Sequence, residues 1–348
     1  MQQKRRQRYI FWVQRGLWLG VLFLVAGCLF FLLIVAQTAK FAFDQSMERQ
    51  QTHLDAEKTA PEPFPLGVDP IAKRIVEDPA VYGYLENHNV AQVPRIKERN
   101  WFTRILAWVG RTPWYQNLAS SVSRVVVIYS GERHEEVVDH FGDILGWSND
   151  ERARFSETVT MSPPRLSDGT FFPGHYVFAV GTTPEEAAAE VNARFGTEVR
   201  DRYTQDIEVV VPLEEALVIA SLIEREAYDF TDMRLISGVI WNRRFADMKL
   251  QLDASLQYAK GSLVSTPEWW PTPVPEDKYL DSPYNTYQNA GLPPAPISNP
   301  SVEAILATLN PTPTDCLFYF HDKDAEFHCS ETYEEHVALL KQYYGRGK

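Results

Sequence analysis

Hydrophobic and polar positions change their spacing several times along the chain. Residues 16–36 (GLWLGVLFLVAGCLFFLLIVA) are uncharged and apolar around the whole circumference of a helix. At about 1.5 Å per residue this run reaches roughly 30 Å, the thickness of a bilayer's hydrocarbon core, and predicts one membrane-spanning helix. Residues 38–75 are polar and carry Thr59-Ala60-Pro61-Glu62-Pro63-Phe64-Pro65, a stretch that reads as a linker. Segment 96–121 mixes Arg104 and Arg111 with Trp101, Phe102, Trp108 and Trp114. It reads either as an amphipathic surface segment or as an ordinary helix packed on its own domain. From Arg124 the pattern becomes regular. Val125 to Tyr129 has strand composition, Ser130-Gly131 is a turn, and His134 to Leu145 repeats apolar residues at helical spacing. Ser148 then caps a second helix with an acidic first turn, which gives a β-α-α unit ending near residue 160. Asp168 to Phe178 is an aromatic turn and strand, and Thr183 to Phe195 is helical, with Pro184 and Glu185-Glu186 at its start. Val211-Pro212-Leu213-Glu214-Glu215 opens another helix. Its continuation ALVIASLI at 216–223 is apolar on all sides, so that helix should be buried.

Composition narrows the class. The 348 residues are 45% hydrophobic and 13% aromatic, which excludes global disorder, and a formal charge of −12 argues against a nucleic-acid binder. Lys4, Arg5, Arg6, Arg8 and Arg15 precede the apolar run with no acid among them, and Trp12 and Trp18 flank its start. By the positive-inside rule the tail 1–15 stays cytoplasmic and everything beyond Gln37 is exported. Two alternatives compete with a permanent anchor: cleavage near Ala36-Gln37-Thr38-Ala39, and lipidation at Cys28 in Val25-Ala26-Gly27-Cys28. No CxxC, HExxH or His/Cys cluster with ligand spacing is present, so no metal is expected. Cys316 to Phe320 is strand-like, His321 to Asp324 turn-like, and Ala325 to Cys329 returns. A turn centred between Asp322 and Lys323 would place Cys316 opposite Cys329, close enough for a disulfide; two buried free thiols are the alternative.

The buried helix ends in Glu224-Arg225-Glu226-Ala227. Residues two apart on a helix point about 200° away from each other, so one glutamate faces water and the other a low-dielectric interior. A carboxyl whose pKa is raised by such surroundings is what a general acid needs. The competing reading is a solvated helix end paired with Arg225.

Several motifs in order carry a resemblance. Ser221-Leu222-Ile223-Glu224-Arg225-Glu226 is followed by Ile240-Trp241-Asn242-Arg243-Arg244 and by Met248-Lys249-Leu250-Gln251-Leu252-Asp253. Then come SPYNTY at 282–287, GLPPAPISNP at 291–300 and SETYEEH at 330–336. Together they resemble the YceG-like endolytic murein transglycosylases. The resemblance implies an α+β chain: a cytoplasmic basic tail at 1–15, a single transmembrane helix at 16–37, and a linker and membrane-proximal region at 38–123. A LysM-like β-α-α module with a connecting strand and helix follows at 124–200, then a C-terminal YceG-like catalytic domain at 201–348. It implies a bacterial inner-membrane enzyme facing outward, which cleaves the β-1,4 bond between N-acetylmuramic acid and N-acetylglucosamine in nascent peptidoglycan and leaves 1,6-anhydro ends without metal or organic cofactor. Peptidoglycan strands, the membrane, and peptidoglycan synthases or elongation and division complexes are the implied partners; nucleic acid is not one. The second Glu of the family's E-x-E stands sixteen residues before the Asn of its NR pair, which places the catalytic position on Glu226, with Glu224 as the fallback.

Chemistry suggests the supporting cast. Gln251, Asp253 and Asn285 offer directional hydrogen bonds to sugars, and Tyr258, Tyr284 and Tyr287 offer ring faces for them. The alternatives are turn caps for Asp253 and Asn285 and core aromatics for the tyrosines. GLPPAPISNP reads as a rigid wall of the cleft. Two departures from the family stand out. Gln251 to Ser255 lacks the family's Pro, and Phe327-His328-Cys329-Ser330 replaces a His-x-Phe-Ser pattern. Trp269-Trp270-Pro271, within 262–281, would be a lid, a sugar platform or a solvated loop. A non-catalytic glycan-binding scaffold, and a hydrolase pairing Glu226 with Asp253, are the rival functions.

Overall fold

A computed structural model describes residues 61–87, 123–162, 164–263 and 268–345. The membrane-spanning run, its basic flank and the amphipathic segment at 96–121 lie outside the described residues. No described helix is long and apolar enough to cross a membrane.

The chain begins with the short strands β1 (Val68–Asp69) and β2 (Arg74–Ile75) and helix α1 (Ala80–Asn87). This part of the stretch read as linker is instead packed. Phe64, Val68, Val81 and Tyr84 are buried in the main core, the Gly67 N–H donates to the Leu309 carbonyl at 2.9 Å, and Asn310 Nδ2 donates to the Pro65 carbonyl at 2.7 Å. The polar average of the segment concealed four apolar anchors.

The next block is β3 (Ser123–Ile128), α2 (His134–Leu145), α3 (Asn149–Thr160) and β4 (Gly174–Ala179). Strands β3 and β4 pair antiparallel with Val126 opposite Tyr176, so the unit is β-α-α-β and closes well beyond residue 160. Its helices start where the sequence signals them. Ser148 accepts from the Glu151 N–H while Glu151 reaches back to the Ser148 N–H, a capping box. The two helices cover one sheet face and bury Val126, Ile128, Phe141, Phe155 and Phe171.

Helix α4 (Pro184–Glu198) starts at the Thr183 cap and spans two cores: Ala187, Ala188 and Val191 belong to the first, Phe195 to the second. No seam falls at residue 200, and the described residues belong to one compact unit. Helix α5 (Gln205–Val210) leads into α6 (Leu213–Glu226), in which every residue from Ala216 to Glu224 is buried. Around α6 lie α7 (Phe230–Phe245), α8 (Asp253–Gly261) and α9 (Val302–Leu309). The chain ends in a hairpin, β5 (Phe318–His321) and β6 (Phe327–Ser330), and α10 (Tyr333–Tyr344), capped by Thr332.

A Cys316–Cys329 disulfide, with Cα atoms 5.8 Å apart, closes the base of that hairpin. The register differs from the one expected: Tyr319, not Cys316, lies opposite Cys329. Asp322 explains the shift. Its carboxylate accepts the Asp324 and Glu326 N–H groups and its own N–H donates to the Glu326 carbonyl, while Ala325 takes φ +63. This longer turn centres on Asp324, so Cys316 reaches its partner from just outside the strand.

Candidate active site

Helix α6 delivers two carboxylates to its C-terminal end, and their surroundings differ completely. Glu224 is buried, and its Oε2 accepts from the Ser301 N–H at 2.9 Å and the Ser301 hydroxyl at 2.5 Å. Ser301 in turn caps α9 through the Ala304 N–H. Glu224 therefore sits at a helix N-terminus, where negative charge is favoured, and is committed to structure. Glu226 is partly exposed, on the other side of α6, so the low-dielectric surroundings expected of a general acid belong to Glu224 and not to the glutamate that motif spacing selects. Its Oε1 accepts from the Ala254 N–H, in the first turn of α8, at 3.0 Å, and its Oε2 from the Tyr319 hydroxyl at 3.3 Å.

Tyr319 was not among the residues singled out above. Strand alternation contains the signal: Phe318 and Phe320 turn to His336 on α10, which leaves Tyr319 and His321 on the opposite face. Burial, and then the Glu226 charge, push the Tyr319 phenol well above its usual range, so it remains a proton-bearing donor. Arg243, from the NR pair, lies near Tyr319 and Tyr287. It spends its guanidinium on the backbone, donating to the carbonyls of Leu317 at 2.6 Å and of Leu250.

The Gln251 to Ser255 segment and the SPYNTY loop meet at this site. The Leu252 N–H donates to Thr286 Oγ1 at 3.0 Å, the Gln251 N–H to the Thr286 carbonyl at 3.2 Å, and the Tyr287 hydroxyl to Asp253 Oδ1 at 2.7 Å. Thr286 thus shapes the loop that lacks a proline, with Gln251 at φ +50. Asp253 and Gln251 are exposed beside Glu226's helix-end partner, and burial followed by the Asp253 charge raises the Tyr287 phenol.

The remaining candidates take the structural alternatives. Asn285 is fully buried; its amide donates to the Lys278 and Leu280 carbonyls and its oxygen accepts the Tyr287 N–H. It builds the loop and offers nothing to a sugar. Tyr258 is buried beneath the Arg133 guanidinium at 4.1 Å, with its hydroxyl on Asp168, and Tyr284 packs against it at 4.7 Å. The second half of the GLPPAPISNP stretch, expected to wall the cleft, is an internal clamp, with residues 296–300 buried. Asn299 is fully buried, its oxygen accepting the Gly169 and Phe171 N–H groups and its amide donating to the Glu132 carbonyl. Trp270 is a wedge, not a solvated loop: its indole donates to Glu136 at 3.0 Å, and the Arg225 guanidinium lies 3.7 Å from its ring centre. Burial lowers Arg225 to about 10, so it keeps its charge at neutral pH beside Glu224 and Glu226.

Two described groups bring a histidine and two carboxylates within 4.8 Å of one another: His134, Glu135 and Asp168, and Asp322, Glu326 and His328. Neither includes Glu226, and Asp168 and Asp322 already accept hydrogen bonds from their own neighbours. A shallow depression of about 320 Å³ between Asn242, Phe245, Thr314 and Glu331 also lies apart from the carboxylates of α6.

The sequence profile of the YceG-like family matches residues 109–342. The chain is 34% identical over 173 residues to the endolytic murein transglycosylase of Streptococcus pneumoniae, covering 49% of this chain and 31% of that protein. It is 31% identical over 201 residues to the enzyme of the same name from Bacillus subtilis, covering 56% and 54%. The chain therefore spans about half, or less, of the length of these relatives. A crystal structure of a yceG-like protein from Listeria monocytogenes superposes with a TM-score of 0.55 at 23% identity, covering 74% of this chain and 89% of that one, and shares its fold.

Proposed function

The chain belongs to the YceG-like family, and from that membership we propose that it is a lytic transglycosylase, a lyase that cuts peptidoglycan strands internally between N-acetylmuramic acid and N-acetylglucosamine. The observation that carries this reading is Glu226, the one carboxylate of the α6 pair that is accessible, gripped by a backbone N–H and a phenol.

Protonated Glu226 gives its proton to the glycosidic oxygen as the bond to C1 of the muramoyl ring breaks. The carboxylate then removes the proton of the C6 hydroxyl, whose oxygen closes on C1. The product is a 1,6-anhydro ring, and Glu226 ends in its starting state. One carboxyl serves as acid and then base, whereas a hydrolase needs two at a set separation. The Ala254 N–H and the Tyr319 hydroxyl hold the carboxyl plane through both steps, so Tyr319 is a positioning residue. Asp253, fixed by Tyr287, and Gln251 supply hydrogen bonds to the sugars. The chemistry calls for no metal or organic cofactor.

In this reading residues 16–36 anchor the enzyme in a bacterial inner membrane, with the catalytic part on the outer face where new strands emerge. The β-α-α-β unit is the LysM-like module, and peptidoglycan synthases or elongation and division complexes are neighbours in that layer.

Mass analysis of digested glycan strands tests the proposal. The expected products carry anhydro-muramoyl ends, and Glu226→Gln abolishes them at an unchanged melting temperature, because an amide keeps the shape and loses the proton. Reducing ends alone would make the enzyme a hydrolase using Asp253, and an absence of cleavage would leave a glycan-binding scaffold.

A further inference from the structure

One carboxylate next to the catalytic position organises two side chains that the mechanism does not use. Asp232, buried near the start of α7, accepts the backbone N–H of Tyr228 at 2.7 Å and His321 Nε2 at 2.9 Å. A carboxylate accepts and does not donate, so Nε2 carries the proton of this contact and Nδ1 is the ring's second polar atom. The Tyr228 ring meets the imidazole edge-on, with centroids 4.8 Å apart at 78°, and yet the residue remains 42% exposed. His321 also faces Tyr319, at 6.2 Å, and Tyr319 donates to Glu226. Tyr228, His321, Tyr319 and Glu226 are therefore linked in one chain of contacts. Its far end is an aromatic ring held by its backbone, by a histidine edge and, through that histidine, by a buried acid.

We propose that Tyr228 and His321, fixed together by Asp232, form a sugar-binding subsite flanking Glu226. Tyr228 offers a face to the apolar side of a pyranose ring, and the second ring nitrogen of His321 offers a hydrogen bond to a hydroxyl of the same sugar. The ligand is the glycan residue next to the scissile bond, so the inference rests on the transglycosylase reading. Three features support this assignment over a core role. The residue is exposed, its backbone is anchored, and it is joined to Glu226 through His321 and Tyr319. A half-exposed aromatic is a common element of ligand recognition, since it supplies contact area with few torsions to freeze.

Steady-state kinetics of the full chain in detergent, on uncrosslinked peptidoglycan strands, test this. Tyr228→Ala is expected to raise KM about tenfold with kcat within about twofold, the loss characteristic of truncating one aromatic anchor. Tyr228→Trp, which keeps the face, should restore KM, and His321→Gln, whose amide can still donate to Asp232 but lacks Nδ1, should raise KM without lowering the melting temperature appreciably. An unchanged KM in Tyr228→Ala, in an enzyme whose wild type makes anhydro ends, would overturn the subsite and leave the transglycosylase reading standing. A wild type that produces no cleavage would remove both. A fall in kcat with constant KM would also overturn the proposal, because it would place Tyr228 in the chemistry and not in binding.

Discussion

A buried carboxylate that accepts two hydrogen bonds from a single serine is costly to delete. Replacing Glu224 with Ala leaves the Ser301 N–H and hydroxyl without their acceptor at the start of α9. The expected loss is about 3 kcal/mol of unfolding free energy, read as a lower denaturant midpoint. Glu226 is expected to behave oppositely: under the proposed mechanism its removal should affect turnover far more than stability. Tyr319→Phe deletes one donor from Glu226 and keeps the ring, so kcat should fall about tenfold while KM holds, the split expected of a residue that only orients the acid. The glutamate pair was legible in the sequence, and so was their divergence, because a spacing of two on a helix forces it. The partner that fixes Glu226 was not, because Tyr319 arrives from a strand more than ninety positions away and only its alternation with Phe318 and Phe320 hinted at a different face.

Elements with local causes read well. The helices beginning at Asn149 and Pro184 start one residue after their Ser148 and Thr183 caps, each with a glutamate at the third position completing the box. The hairpin shows where local reading stops. Its strands were evident, but its register depends on how many backbone donors Asp322 collects, and a symmetric turn misses that. The Cys316–Cys329 bridge closes a loop of 13 positions, for which the chain-entropy account gives about 2–3 kcal/mol. Reducing it should lower the unfolding midpoint accordingly while activity at low temperature persists. A count of free thiols on the denatured, unreduced soluble part should return none.

At the scale of the whole molecule, the junction between the β-α-α-β unit and the helices around α6 is polar and buried, with Asn299 at its centre. Asn299→Ala should cost about 3 kcal/mol and speed proteolysis near Gly169, because two buried N–H groups lose their acceptor together. The same junction makes stability depend on pH through His134. Burial alone would lower its pKa, but the hydrogen bond and charge of Asp168 outweigh burial and raise it above 6.5. Its contribution is then complete below the unfolded value and is lost as pH rises through the raised folded one. The unfolding midpoint should fall as pH rises past the ordinary histidine range, less so in His134→Ala. None of this junction is visible to periodicity, since its members are scattered from Glu132 to Asn299 and share no local pattern. The packing of residues 61–84 escaped notice for the same reason, and it has a consequence for how the chain is made. Synthesis proceeds from the N-terminus, and Pro65 leaves the ribosome 245 positions before the Asn310 amide that will hold it. Until the core residues from Phe172 onward are made, Phe64, Val68, Val81 and Tyr84 have no core to enter, and this interval is when a chaperone, or another copy of the unfinished chain, would find them.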